Sequence, residues 1–323
     1  MRREALALGG ILVLLLLLPL VLARDWLSIL TLVLFFAFTG QAWNLAMGFA
    51  GQLSLGHALF VGIGAYVTVV LLGRYGITPW IGLAAGALVA AALGAFIAWL
   101  GFRFALRGVY FALLTIAFAE FARIGFDNWE FVGASGGFFL RAVTDETSTL
   151  YELRGGPRFW YYAFLALAGL GFVLCHRLAT SRVGYFWRAI REDEEAARAL
   201  GIEVLRMKML VVAVSAAMTA VGGGLFGLYN GSVFPDTVMG MRMSIDILVA
   251  PVVGGLGTLF GPVLGAFLVV TLLELASDIA LGTGIVGLNV LVYGLLLFAI
   301  AVLSPQGIWP WLARRLDLGG GTR

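Results

Sequence analysis

Apolar residues run through this chain in long blocks, at about 5–22, 27–46, 53–72, 79–99, 104–122, 159–175, 207–229, 259–279 and 285–303. A shorter block, about 244–256, contains Pro251 and the pair Gly254-Gly255. A helix needs about 20 apolar residues to cross a hydrocarbon core about 30 Å thick. The pattern therefore predicts an all-α polytopic membrane protein with about ten transmembrane helices, the short block counting as a full or broken crossing. Residues 1–323 read as a single membrane domain.

One segment breaks the pattern. Charged residues of both signs crowd between Arg177 and Lys208, with Arg188-Ala189-Ile190-Arg191-Glu192-Asp193-Glu194-Glu195 at the centre. A charge at mid-membrane costs roughly 2.5 kcal/mol or more, so this island is expected to stand outside the bilayer between two spans. Asp193, Glu194 and Glu195 suit a helix N-terminus, where carboxylates meet the positive end of the dipole. Glu194 and Arg198, four apart, can pair on the exposed face. Ile190, Ala197 and Leu200 share the opposite face, and Gly201 is placed as a C-terminal stop. Ala196, Ala197 and Ala199 form a smooth knob that would suit a partner's cleft. A solvated surface helix with ordinary charge pairs is the competing reading.

Basic residues orient the spans, because loops facing the cytoplasm carry an excess of Arg and Lys. The island, Arg2-Arg3, Arg103, Arg107 and Arg314-Arg315 go inside, which places both termini in the cytoplasm. The acidic-leaning external loop, about 123–157, carries Asp127, Glu130, Asp145, Glu146 and Glu152. Four spans after the island, rather than three, return Arg314 and Arg315 to the inside. Met1-Arg2-Arg3, the apolar run behind it and Val21-Leu22-Ala23 also imitate a cleavable signal peptide, and cleavage after Ala23 would leave nine spans.

Composition fits this class: 61% of residues are hydrophobic and 12% charged, where a soluble domain is nearer half and a quarter. A net charge of +3 dispersed over loops argues against a nucleic-acid partner. Lone Cys175 has no second cysteine to pair with.

Glycine is the second signal, with 44 residues concentrated in the apolar runs. Small residues let membrane helices approach closely. Glycine also lets a helix break, which is tolerated at membrane depth where the break lines a cavity. Gly48 to His57 combines glycine with Gln52, Ser54 and His57 at the end of a span, and Gly254-Gly255-Leu256-Gly257-Thr258 looks alike. Gly51, Gln52, Ser54, Gly56, His57, Gly254, Gly255 and Gly257 are the candidates to line or shape a translocation path. Helix packing is the alternative for all of them, with His57 as a packing hydrogen-bonder.

Three stretches resemble one family. They are Gly51-Gln52-Leu53-Ser54-Leu55-Gly56-His57-Ala58 with Gly62-Ile63-Gly64-Ala65-Tyr66; the island with Ala196-Ala197 and Leu200-Gly201-Ile202; and Gly254 to Thr258 with Gly261-Pro262 and Gly265-Ala266. In this order they are similar to signatures of branched-chain amino acid ABC transporter permeases of the LivM type, over about residues 40–305. The external loop departs from relatives, reading Val132-Gly133-Ala134-Ser135-Gly136-Gly137 where Thr-Gly-Gly-Ser-x-Gly is common. The resemblance implies an ABC importer permease fold in a bacterial inner membrane. It implies four partner proteins: a second, homologous permease, two cytoplasmic ATPases and a periplasmic binding protein. It implies that about 177–206 is the coupling segment, with ATPase contact through Arg188, Ala189, Ile190, Arg191, Glu192, Asp193, Glu194, Glu195, Ala196, Ala197, Leu200, Gly201 and Ile202. Branched-chain amino acids are the implied substrates, although related permeases move urea, short amides or other amino acids.

The residues agree on the division of labour. A P-loop needs a lysine behind a glycine-rich loop, and Lys208, the chain's single lysine, has no such loop. The chain is thus expected to hold no ATP or other cofactor of its own and to be no enzyme. His57 and His176 are not in metal-ligand spacing. An ion-coupled secondary transporter would bring ionisable groups to mid-span, where the runs are nearly free of them. Glu274 and Asp278 fall near span ends, and Glu120 is the carboxylate to watch.

Overall fold

The computed structural model describes residues 15–20, 22–140, 153–283, 287–304 and 306–315. Lipid offers no hydrogen bonds, so a spanning segment satisfies its backbone within itself and becomes helical. The helices are α1 Arg24–Asn44, α2 His57–Tyr75, α3 Pro79–Arg103, α4 Val109–Asp127, α5 Pro157–Thr180, α6 Arg182–Glu192, α7 Glu194–Ala199 and α8 Val204–Asn230. They continue as α9 Pro235–Met239, α10 Met241–Gly254, α11 Gly261–Thr283, α12 Leu288–Leu303 and α13 Ile308–Arg315.

Among the described residues, eight segments are long and apolar enough to cross a membrane: α1 with the turn after it, α2, α3, α4, α5, α8, α9 joined to α10, and α11. Of the other two expected spans, 5–22 lies largely outside the described residues, and 285–303 corresponds to α12, 16 residues long. Three boundaries move. The 53–72 run becomes helical only at His57, because 50–56 is an irregular connection. The 104–122 run becomes α4, displaced to 109–127 behind a loop in which Ala105 and Gly108 both take positive φ. The short 244–256 run is the end of a broken crossing of 20 residues from Pro235, interrupted at Gly240.

Glycines set the interior. At Gly64 of α2 a Cβ would lie 1.8 Å from the Ala220 carbonyl oxygen of α8, and at Gly223 of α8 it would lie 2.1 Å from the Val61 carbonyl oxygen of α2. The two backbones therefore touch, as small residues allow in membrane helices. Gly94 of α3 meets Ala216 of α8 in the same way, with a Cβ distance of 2.8 Å. Helices α1, α2 and α8 are accordingly the most buried, while α4 and α11 are peripheral. Peripheral apolar side chains such as Leu88, Phe121, Leu170 and Phe298 are more than two-thirds exposed. Apolar exposure on that scale fits helices that face lipid.

The connections sort into two groups. At one end, Arg74 lies over Phe131, Arg123 bonds Asp236 at 2.5 Å, and β1 (Phe138–Phe139) pairs antiparallel with β2 (Ser232–Val233). At the other end, 45–56, the 104–108 loop, the island and 255–260 come together. This is the grouping that alternating antiparallel spans require. Residues 141–152 of the 123–157 loop, with Asp145, Glu146 and Glu152, lie outside the described residues.

Candidate functional site

The end that carries the island is built around two breaks. The last turn of α1 widens into a π-helical turn, Leu45–Phe49; single π turns are frequent at functional sites. The chain then leaves helix through Gly51, which has φ +69°. The second break, after α10, passes through Gly257 at φ +71°. Asn44 joins the two. Its Nδ2 donates to the Thr258 carbonyl at 2.8 Å, and its Oδ1 accepts from the Gly257 N–H at 2.9 Å. Gly48 allows the approach, since a Cβ there would stand 2.5 Å from the Gly257 nitrogen.

A buried polar chain satisfies the irregular backbone between α1 and α2. Trp43 Nε1 donates to the Ser54 carbonyl at 2.7 Å, and the Leu55 N–H donates to Thr115 Oγ1 of α4 at 3.0 Å. Ser54 Oγ and His57 Nδ1 are 3.0 Å apart, and His57 Nε2 is 2.8 Å from Ser215 Oγ of α8. Ser215 donates onward to the Ala42 carbonyl, and the Ala58 N–H donates to Ser244 Oγ of α10. His57, 1% exposed with both ring nitrogens partnered, ties the start of α2 to α8 and, through Ser215, to α1. Gln52 is turned back onto the Ala50 carbonyl at 2.6 Å. Gly56 is closed off by the Thr115 carbonyl, 2.2 Å from where a Cβ would be. The second break holds itself similarly. Thr258 Oγ1 donates to the Gly255 carbonyl and accepts from the Gly261 N–H, while Gly254 and Gly255 are buried between Gly261 and Gly307.

The island is two helices. Ser181 caps α6, and Asp193 caps α7, its Oδ1 accepting from the Glu195 and Ala196 N–H groups at 2.8 and 3.0 Å. The bonds from Ala196 and Glu195 hold the Asp193 carboxyl below the usual carboxylate range. Ile190, Ala197 and Val204 form a small core of their own, packed by Ala189, Ile202 and Met207. Gly201, at φ +84°, ends α7, and the Ile202 N–H returns to the Ala197 carbonyl at 3.2 Å.

Four anchors fix the island to the bundle. Trp187, fully buried, donates to the Met207 carbonyl of α8 at 3.0 Å. Arg188 donates to the Ala179 carbonyl of α5. Glu194 pairs with Lys208 of α8 at 2.6 Å, with Arg107 of the α3–α4 loop 3.7 Å away. Arg191 Nη1 donates to the Gly48 carbonyl at 2.5 Å.

Two parts of the sequence reading change here. Ala197 is 1% exposed and belongs to the island's own core, so the alanine knob cannot present it to a partner. Leu200, expected on the same face as Ile190 and Ala197, is 80% exposed. Asp193, in extended backbone, separates α6 from α7, and α7 ends at Ala199, so Leu200 stands in the cap beyond the face that Ile190 and Ala197 still share. The Glu194–Arg198 pair is present at 3.4 Å, but Lys208 is the nearer partner. The outward side of the island carries Glu192, Asp193, Glu195, Ala196, Leu200 and Gly201. Glu120 lies at the other end, bonded to Arg123, which also reaches Asp127 and Asp236. Asn44, Ser215, Ser244 and Lys208 take part in these networks without having been singled out for it, because each depends on a residue distant in sequence.

Lipid-facing helices, glycine-mediated crossings and a charged two-helix element between two spans define an all-α polytopic membrane protein. The sequence profile of the family described as branched-chain amino acid transport system, permease component, matches residues 26–301, and the chain belongs to that family of ABC permeases. It is 31% identical to the high-affinity branched-chain amino acid transport system permease protein LivM of Escherichia coli, covering 99% of this chain and 78% of that protein. It is 30% identical to LivM of Salmonella typhimurium over the same shares. It is also 26% identical to the LivH permease of Salmonella typhimurium, over 84% of this chain and 90% of LivH. No solved structure matches this chain.

Proposed function

We propose that this chain is one permease of an ATP-driven importer of branched-chain amino acids, with a second, LivH-like permease forming the other half of the path. The observation that carries this is the family match over residues 26–301, joined to an island whose outward side is open and whose inward side is anchored to the bundle. One of two ATPases docks on that outward side at the cytoplasmic face, through Glu192, Glu195, Ala196, Leu200 and Gly201. A binding protein delivers substrate at the opposite face. In this reading the chain has ten spans, counting 5–22 and α12, with both termini in the cytoplasm of a bacterial inner membrane. Gly51, Gln52, Ser54, Gly56, His57, Gly254, Gly255 and Gly257 shape the cytoplasmic end of the path by holding helix ends together. ATP is bound by the ATPases, and the chain carries no cofactor.

The test is purification of the tagged chain from its native membrane, followed by uptake into vesicles rebuilt from the recovered complex. A P-loop ATPase and a second permease should co-purify. ATP-dependent leucine uptake should be competed by isoleucine and valine, not by urea. Uptake without ATP, driven by an ion gradient, would overturn the reading.

A further inference from the structure

The island's anchors are not equivalent. Trp187 and Lys208 tie it to α8, and Arg188 ties it to α5, the two helices to which the island is joined covalently. Arg107 reaches Glu194 from the α3–α4 loop, but at 3.7 Å and from a side chain 57% exposed. Arg191 alone among these crosses to α1 with a direct hydrogen bond. Its guanidinium sits at the junction of both breaks. Nη1 holds the Gly48 carbonyl, its Cγ lies 2.9 Å from where a Gly51 Cβ would be, and Nη1 lies 3.0 Å from a Gly257 Cβ. Any side chain at Gly51 or Gly257 would press on this arginine. The remaining amino group pairs with Glu192 at 2.9 Å, on the outward side of the island.

The physical chemistry suits a link. Gly48 lies in the terminal turn of α1, where carbonyls lack intrahelical partners and the dipole is negative, so a guanidinium is held by both charge and hydrogen bond. The two segments it touches are those where the backbone leaves helical geometry and can rotate without unpacking a span.

We infer that Arg191 is a positioning residue that transmits displacement of the partner-docking island to the two glycine breaks at the ends of α1 and α10. This rests on the importer reading above and adds to it the route by which the ATPases act on the path. Glu192 faces the partner, Arg191 faces the breaks, and Asn44 makes the breaks move as one.

The experiment uses the assembled complex in lipid vesicles, with Arg191→Gln and Arg191→Lys. Three quantities are read: ATPase recovered per permease, leucine imported per ATP hydrolysed, and hydrogen exchange with and without a non-hydrolysable ATP analogue. A hydrogen bond from a charged donor is worth about tenfold or more in an equilibrium. Arg191→Gln should therefore recover normal ATPase and hydrolyse ATP, while import per ATP falls about tenfold. Arg191→Lys, which keeps the charge and one donor, should restore part of it. In the wild type the ATP analogue should change exchange both at 194–203 and at 48–52 and 255–258. In Arg191→Gln the change at 194–203 should persist and the other two should vanish. An unchanged import ratio overturns the proposal, as does loss of assembled complex in both variants, which would make Arg191 a static pin. The wild-type ratio tests the importer reading and the variant-to-wild-type comparison tests Arg191, so the two fail separately.

Discussion

Lys208 and Glu194 should contribute unequally when cut singly and almost nothing when removed together. Lys208 is 5% exposed, and its Nζ lies 2.6 Å from Glu194 Oε2 and 4.8 Å from the centre of the Phe102 ring. Glu194 is 18% exposed and has two further cations within reach, Arg198 at 3.4 Å and Arg107 at 3.7 Å. Glu194→Gln strands the ammonium among apolar groups, which costs about 3–5 kcal/mol when a buried pair loses one partner. Lys208→Met leaves a carboxylate that keeps two arginines and some water, so the loss should be nearer 1–2 kcal/mol. The double variant replaces a buried pair by neutral groups of similar size, and such replacements are often neutral. Its cost should fall well below the sum of the singles, which is roughly 4–7 kcal/mol, so that nearly all of that sum is coupling. The assay is thermal unfolding of the purified permease in detergent for all four proteins of the cycle. Equal, additive losses would refute the reasoning, because they would mean that Lys208 stays hydrated and the pair behaves as a surface contact.

Four further outcomes follow from particular positions. Gly64→Val should lower the yield of folded permease, since even its Cβ would stand 1.8 Å from the Ala220 oxygen and α2 and α8 would have to part by roughly 1.5 Å. Gly169→Ala in α5, with nothing within 4 Å, should raise the melting temperature slightly. Ala197→Arg should damage the permease even when no ATPase is present, because the added side chain enters the Ile190–Val204 core; normal recovery of the lone variant would restore the docking reading of Ala197. Asp193 is held below its ordinary pKa, so its cap stabilises α7 above about pH 4 and is lost as pH falls through the lower folded value. Amide exchange at Glu195 and Ala196, extrapolated to a common intrinsic rate, should therefore lose protection on acidification, and in Asp193→Ala it should be unprotected at neutral pH.

Much of this was legible in the order of residues. Apolar runs located the long helices because lipid demands helices and nothing else there, and Gly51 and Gly257 were visible as breaks because few other residues fit their conformation. What failed was helical spacing carried past a helix end. Ile190 and Ala197 do share the island's core across the extended residue Asp193, whereas α7 ends at Ala199 and leaves Leu200 in the exposed cap beyond it. Gly201 is placed as a helix stop by the same spacing, and that stop implies that Leu200, one residue before it, belongs to the cap rather than to the buried face. The partnerships were beyond reach for a different reason. Asn44 bonds residues more than 200 positions away, and Lys208 finds its carboxylate 14 positions back across two helix ends. Spacing carries no information about such pairs.

The glycines of this chain divide by what stands opposite them, and the division separates the part that holds from the part that can move. Gly64 and Gly223 face backbone carbonyls of the neighbouring span, so α2 and α8 are locked at a distance that one methyl group would break. A rigid contact of that kind resists sliding, because close packing leaves no intermediate position. Gly51 faces the Arg191 side chain, Gly257 faces that side chain and the Gly48 carbonyl of the other break, and both sit in irregular backbone. A side chain can change rotamer, and a backbone with few repeating hydrogen bonds can rotate at low cost. Motion delivered to the island would therefore be absorbed at the two breaks before it could disturb the α2–α8 contact. The same residue type thus builds both the fixed centre of the bundle and its adjustable end, and the backbone around it, helical in the one and irregular in the other, tells them apart.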